Sequence, residues 1–160
     1  MKLAHRVWVA APAEAIWRHV EDPSQYLHFM DGITRWEVDG RRRKGLGARY
    51  RVLMHVGSAE IGGLIEVVEY VPRRELAWTA VVGIDQRGRW RLRPDADNPD
   101  RTAVELRMSA TVPGGLAARV ADLIARPVVS RHIRRTLREL RRQVEHERER
   151  AAARRRQAGR

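Results

Sequence analysis

From Ile33 to Val112 apolar residues recur at every second position, and after Pro113-Gly114-Gly115 they recur at every third or fourth. A long stretch with the period of strands, followed by one stretch with the period of a helix, confines the chain to a sheet covered by a single helix. Breakers at Asp39-Gly40, Gly57-Ser58, Pro72-Arg73-Arg74, Gly83 to Gly88 and Pro94 to Asp100 divide the first stretch into a meander. The predicted strands are Ile33–Val38, Gly47–Val56, Ala59–Tyr70, Glu75–Val82, Arg87–Arg93 and Thr102–Val112. In the fifth, Gly88, Trp90 and Leu92 alternate with Arg87, Arg89, Arg91 and Arg93, so one face is dry and the other charged. In the last, Val104, Leu106, Met108 and Ala110 share the dry face, and Glu105 falls close to the arginine stripe. Glu66 and Glu69 would lie on opposite faces of a regular strand, so this strand calls for a bulge or an inward carboxylate, and Gly62-Gly63 favours the bulge.

Before the meander, Leu3 to Ala11 reads as a first strand. Pro12 then opens a short helix with Ile16, Trp17 and Val20 on one face. Asp22-Pro23-Ser24 starts a second helical turn, with Asp22 as its cap, that carries Tyr26, Leu27, Phe29 and Met30 and ends at Asp31-Gly32. In the final segment Leu116, Val120, Leu123, Ile124, Val129, Ile133, Leu137, Leu140 and Val144 trace one stripe. Pro127 predicts a kink or restart there. Helix from Gly115 to Arg148 would extend roughly 50 Å at 1.5 Å per residue. That exceeds a domain whose radius of gyration is about 15 Å, so the last turns overhang. Residues 149–160 form a basic end expected to be frayed or disordered.

The fold class that follows is α+β: a seven-stranded curved antiparallel sheet wrapped on a long C-terminal helix, with two short helices between strands one and two. A twisted sheet of this size curls. One helix about 10 Å across cannot fill the concavity, and a pocket follows. By alternation the inward residues include Tyr50, Val52, Met54, Trp78, Ala80, Trp90, Leu92, Val104, Leu106 and Met108, with Leu116, Val120, Ile124 and Ile133 opposite.

Composition removes other classes. A chain of 160 residues fits one domain, taken as 1–148. Without cysteine, disulfides, thiolate nucleophiles and cysteine metal sites are excluded. No histidines share a metal-ligand spacing, so neither a metal nor a cofactor is expected. No apolar run approaches the roughly 20 residues of a membrane span. With no signal-like leader, the expected location is cytoplasmic. The net charge of +12 rests on arginine, since Lys2 and Lys44 are the only lysines. No aromatics interleave with the arginine stripe, so no specific nucleic-acid partner is expected, and any contact with an anionic surface falls to the tail. Gly45-Leu46-Gly47 and the Gly57 to Gly62 stretch open no helix, which a phosphate loop requires.

The stretches Val9-Ala10-Ala11-Pro12-Ala13-Glu14-Ala15-Ile16-Trp17 and Glu21-Asp22-Pro23-Ser24-Gln25-Tyr26 resemble the opening of the SRPBCC superfamily, START-like and Bet v 1-like, in its polyketide cyclase/dehydrase-type branch. So do Glu66 to Trp78 and Pro113-Gly114-Gly115-Leu116, and the resemblance covers about Leu3 to Val144. It implies a helix-grip fold with a cavity between sheet and helix. The superfamily includes lipid carriers, hormone receptors and cyclases, so fold is implied more sharply than function. Aromatic polyketide cyclases of this kind hold the chain with a pocket arginine and tyrosines on a Trp-rich strand. Here Arg49-Tyr50-Arg51-Val52-Leu53-Met54-His55 stands in that place, with Arg49 and Arg51 pointing outward, and no catalytic residue transfers position by position.

The leading expectation is a cavity that binds a small hydrophobic molecule of lipid, polyketide or isoprenoid type. Its lining would be Tyr26, Phe29, Met30, Tyr50, Val52, Met54, Trp78, Ala80, Trp90, Leu92, Leu106, Met108, Leu116, Val120, Ile124 and His132. Polar groups expected near the mouth are His28, Tyr50, His55 and His132, with Arg35, Asp85 and Ser130. The first alternative is a cyclase or dehydratase acting on a poly-β-keto chain, with Tyr50 or His132 moving the proton. The second is an interaction module built on the basic tail. Ligand identity and oligomeric state stay open in the sequence.

Overall fold

The breakers fall where the chain turns, except that the stretch Gly83 to Gly88 contains only a tight turn at Ile84 and is already strand from Asp85. In a computed structural model the described residues, 1–22, 25–111 and 114–159, form β1 (Lys2–Val9), α1 (Ala13–Val20), α2 (Tyr26–Phe29), β2 (Ile33–Val38) and β3 (Arg49–Val56), then β4 (Ala59–Val71), β5 (Glu75–Gly83), β6 (Asp85–Pro94), β7 (Thr102–Thr111) and α3 (Gly115–Ala158). Pro23, Ser24, Val112, Pro113 and the side chains of 116–119 lie outside the description. All strand pairs are antiparallel, in the order β1-β7-β6-β5-β4-β3-β2, so β1 and β2 are the edges of the curled sheet. Pro12 is the N-cap of α1, and α2 begins after Gln25, not at Asp22.

Register decides which side chains look inward. Leu76 opposes Trp90 and Trp90 opposes Leu106, so these three share the concave face. On the convex face Arg89 reaches Glu69 at 2.6 Å and Glu75 at 3.3 Å, Arg91 reaches Glu75 at 3.0 Å, and Arg107 reaches Glu105 at 3.0 Å. Arg89 and Arg91, the middle of the arginine stripe, are thus matched by carboxylates, and partly exposed pairs of this kind add little stability each. The question of Glu66 and Glu69 is answered by a bulge. The β4–β5 register shifts between Val67 and Glu69, which leaves Val68 half exposed and both glutamates on the convex side, Glu66 against Arg49 at 2.6 Å. A second shift between Leu64 and Ile65 lies beside Gly63, where an added Cβ would meet the Val82 carbonyl oxygen at 2.2 Å.

Helix α3 buries Val129, Ile133, Thr136, Leu137, Leu140 and Val144 at spacings of one helical turn. Polar contacts fix its later turns to the start of the fold. The Ala10 N–H donates to Glu145 at 2.9 Å, Arg148 donates to the Ala10 carbonyl and pairs with Asp100 at 2.9 Å, and His19 meets Glu147 at 3.1 Å. Two expectations need correction. The helix does not restart at Pro127, and residues 149–158, expected to fray, continue it as helix to Ala158. Alanine and arginine are strong helix formers, which suits an extension with no buried face. At 44 residues α3 is about 66 Å long at 1.5 Å per residue, so it overhangs further than expected.

Candidate functional site

Aromatic side chains occupy the middle of the concavity. Trp36 lies 4.6 Å from Tyr26, 5.8 Å from Tyr50 and 6.1 Å from Trp78, centroid to centroid, and Phe29 lies 6.1 Å from Trp90. Most of these pairs meet edge to face, the arrangement that the ring quadrupole favours. The indole of Trp78 lies against Gly88, where an added Cβ would come within 2.0 Å of the ring. This position requires glycine for space rather than for backbone freedom. Trp90, Tyr26, Tyr50 and Leu106 are all under 2% exposed, and Phe29, Met30, Val52, Trp78 and Leu92 are buried with them.

A cavity of about 150 Å³ remains beyond this block. It is lined by Met54 and Val56 of β3, Ile61 of β4, Ile84 and Gln86 at the β5–β6 turn, Met108 of β7, and Ala121, Asp122, Ala125 and Val129 of α3. Two local features make it. The β5–β6 ladder ends at Thr79 and Arg87, so the sheet splits there, and α3 faces the gap with alanines where the later turns present Ile133 and Leu137. Of the expected lining, Met54 and Met108 reach the cavity; Tyr26, Phe29, Met30, Tyr50, Val52, Trp78, Trp90, Leu92 and Leu106 pack into the filled centre, and Ala80 is half-buried beside Ile65. Leu116 lies outside the described side chains. Val120 and Ile124 depart most from expectation, standing 51% and 66% exposed on the outer side of α3. The inward stripe there is Ala121, Asp122, Ala125 and Val129, whose small or polar residues hide it from a reading that follows bulk.

The polar candidates sit elsewhere. Tyr50 donates its hydroxyl to the Arg43 carbonyl at 2.7 Å, and burial pushes its pKa up to about 12, with the charges of Asp22 and Tyr70 adding to the effect. His132 is bracketed outside the cavity. Its Nδ1 is 2.5 Å from Asp31, its ring lies on Gly32, which holds a φ of 83°, and the Asp31 N–H donates to Thr136 Oγ1 at 2.9 Å. His55 meets Glu60 at 3.2 Å, His28 is exposed, and Arg35 lies 3.7 Å from Glu37. Asp85 is exposed on β6. Ser130 instead bonds His5 Nε2 at 2.8 Å, a β1–α3 link the periodicity gives no reason to expect beyond the inward parity of His5 with Leu3 and Val7. Among the described residues the one charged side chain lining the cavity is Asp122, 3.1 Å from the Met1 ammonium. Among the described residues no cluster of three histidine or acidic side chains could hold a metal, and no helix is long and apolar enough to cross a membrane.

The same architecture recurs in solved structures of low identity, which bear on fold alone. A protein of Thermus thermophilus superposes with a TM-score of 0.77 at 16% identity, over 92% of this chain and 99% of its own. The Zhui aromatase/cyclase of a Streptomyces species gives 0.74 at 21% identity, covering 91% and 93%. A START superfamily protein of Mycobacterium smegmatis gives 0.59 at 18% identity, covering 83% and 97%. No curated protein matches the sequence. The seven-stranded curled sheet gripping a C-terminal helix, and a family model matching residues 1–145, lead to one conclusion: the chain belongs to the polyketide cyclase / dehydrase and lipid transport family.

Proposed function

We propose that the protein binds a small hydrophobic molecule, of lipid, polyketide or isoprenoid type, in the cavity between β3, β4, β6, β7 and the first turns of α3. One observation carries this reading: the gap in the grip is lined almost wholly by methionine, valine, isoleucine and alanine. Burial of apolar ligand surface there yields roughly 25 cal/mol per Å². The volume, about 150 Å³, is below the roughly 300–1,000 Å³ common for ligand pockets. A fitting ligand therefore inserts one end, such as the tip of an acyl or prenyl chain. Cyclase or dehydratase chemistry has less support, because Tyr50 and His132 are both engaged away from the cavity.

The test uses N-phenyl-1-naphthylamine, a neutral apolar probe, with native mass spectrometry of freshly purified protein. The wild type is expected to bind the probe and to carry a hydrophobic molecule through purification. Ala125→Trp, which fills the cavity from the helix side, is expected to lose both while keeping its circular dichroism spectrum. Equal probe binding by wild type and by a folded variant would overturn the proposal.

A further inference from the structure

Most arginines on the convex face of the sheet have a carboxylate partner. Arg6 of edge strand β1 and three arginines in the middle of α3 do not. Arg6, Arg131, Arg134 and Arg138 line a groove of about 670 Å³ with His5, Val7, Pro127, Ser130 and Leu137, and among the described residues no acidic side chain is in its wall. Among the described residues none of these four guanidiniums lies within ion-pair distance of a carboxylate, whereas Arg135, Arg141, Arg142 and Arg148 on the same helix each do. Positions 131, 134 and 138 share one helical face. The first and last are separated by about 10 Å along the axis at 1.5 Å per residue.

A guanidinium cannot shed its charge, so four lining one groove repel each other unless an anion sits between them. We infer that this groove is a binding site for an anion carrying two or more phosphate groups, such as an organic diphosphate. Two features select that class. A single carboxylate cannot bridge a row of positive charge about 10 Å long, while linked phosphates offer several acceptors to planar N–H forks. Val7, Pro127 and Leu137 supply an apolar wall for the organic part. His5, joined to Ser130 at 2.8 Å and kept below its ordinary pKa by burial and by the Arg134 charge, lines the same groove and reports on its occupancy. The site is distinct from the apolar cavity, whose α3 lining ends at Val129.

Inorganic diphosphate is the probe, titrated by calorimetry into the full chain at low salt, with the His5 ring signals followed by NMR. Binding is expected to weaken at least tenfold in Arg134→Gln/Arg138→Gln and by a smaller factor in Arg131→Gln. It should persist in Arg154→Gln/Arg155→Gln, which removes the same charge from the overhang, and the His5 signals should move on titration. Three results would overturn the inference: no binding by the wild type, equal loss in both double variants, or loss confined to the overhang variant. The second would mark a diffuse polyanion surface instead, and the third a contact on the overhang. Loss of N-phenyl-1-naphthylamine binding in Ala125→Trp bears only on the cavity, so the two proposals fail separately.

Discussion

The two halves of the grip are made from the same sheet and the same helix, yet one is filled and the other is not. Under the later turns of α3, Ile133, Leu137, Leu140 and Val144 meet a concave face bearing Trp36, Tyr50, Trp78 and Trp90. Under its first turns, Ala121 and Ala125 meet Met54 and Met108 across open space. Backbone curvature sets how much room lies between the layers, and side-chain volume sets how much of it survives. A curved sheet under a helix is therefore not by itself a binding cavity. Here the cavity is the part where residues are small and where the β5–β6 ladder stops.

Truncation gives the largest contrast. Trp90→Ala empties the filled half around a fully buried side chain and is expected to cost about 3–5 kcal/mol in urea unfolding. Met108→Ala, at a half-buried position already bordering a void, should cost about 1–2 kcal/mol. Equal losses would show that both halves are packed alike in solution. Enlargement works in the opposite direction and with a smaller effect. Ala125→Leu adds apolar volume to an unfilled space and should be neutral or stabilising by up to about 1 kcal/mol. A loss of about 1–3 kcal/mol, the usual consequence of overpacking, would mean that the space is closed.

The filled half was legible in the sequence as sheet and helix, because alternation in Arg87 to Arg93 and Thr102 to Val112 fixes the inward face without any long-range information. The open half was not. Val120, Leu123 and Ile124 are the bulky members of the helical pattern, and a stripe drawn through them points outward. The stripe that faces the sheet runs through Ala121 and Ala125, in phase with Val129, Ile133 and Leu137, and small residues carry little periodic signal. Which inward aromatics touch one another depends on pairing between distant strands, so the sequence could mark them inward without showing that they close the centre. The unpartnered arginines of the β1–α3 groove escaped for the same reason. Arginine on an exposed helical face looks alike whether a carboxylate from another element reaches it or not.

Alkali offers the finest test, because the three tyrosines all lie away from the open end. Tyr70 packs edge to face on Trp17 at 5.4 Å and donates its hydroxyl to Glu21 at 2.7 Å. Burial first, then the bond to Glu21 and its charge, pushes its pKa up to about 12, as burial does for Tyr50; Tyr26, fully enclosed, is raised well above its ordinary value. An unfolded tyrosine loses its proton near pH 10. Between pH 10 and 12 the unfolded chain therefore binds fewer protons than the folded one. The stability these phenols contribute is complete below pH 10 and declines as pH rises through 12. Thermal midpoints measured across this range should fall steeply in the wild type. Tyr70→Phe should start lower, by the loss of one hydrogen bond worth about 1 kcal/mol, and then fall less steeply, since one titrating group is gone. Hydrogen exchange at rising pH should open β3 and β4 around Tyr50 and Tyr70 before the amides of β7 that border Met108. The reverse order, or a slope unchanged by the substitution, would mean that the buried phenols do not set the alkaline limit.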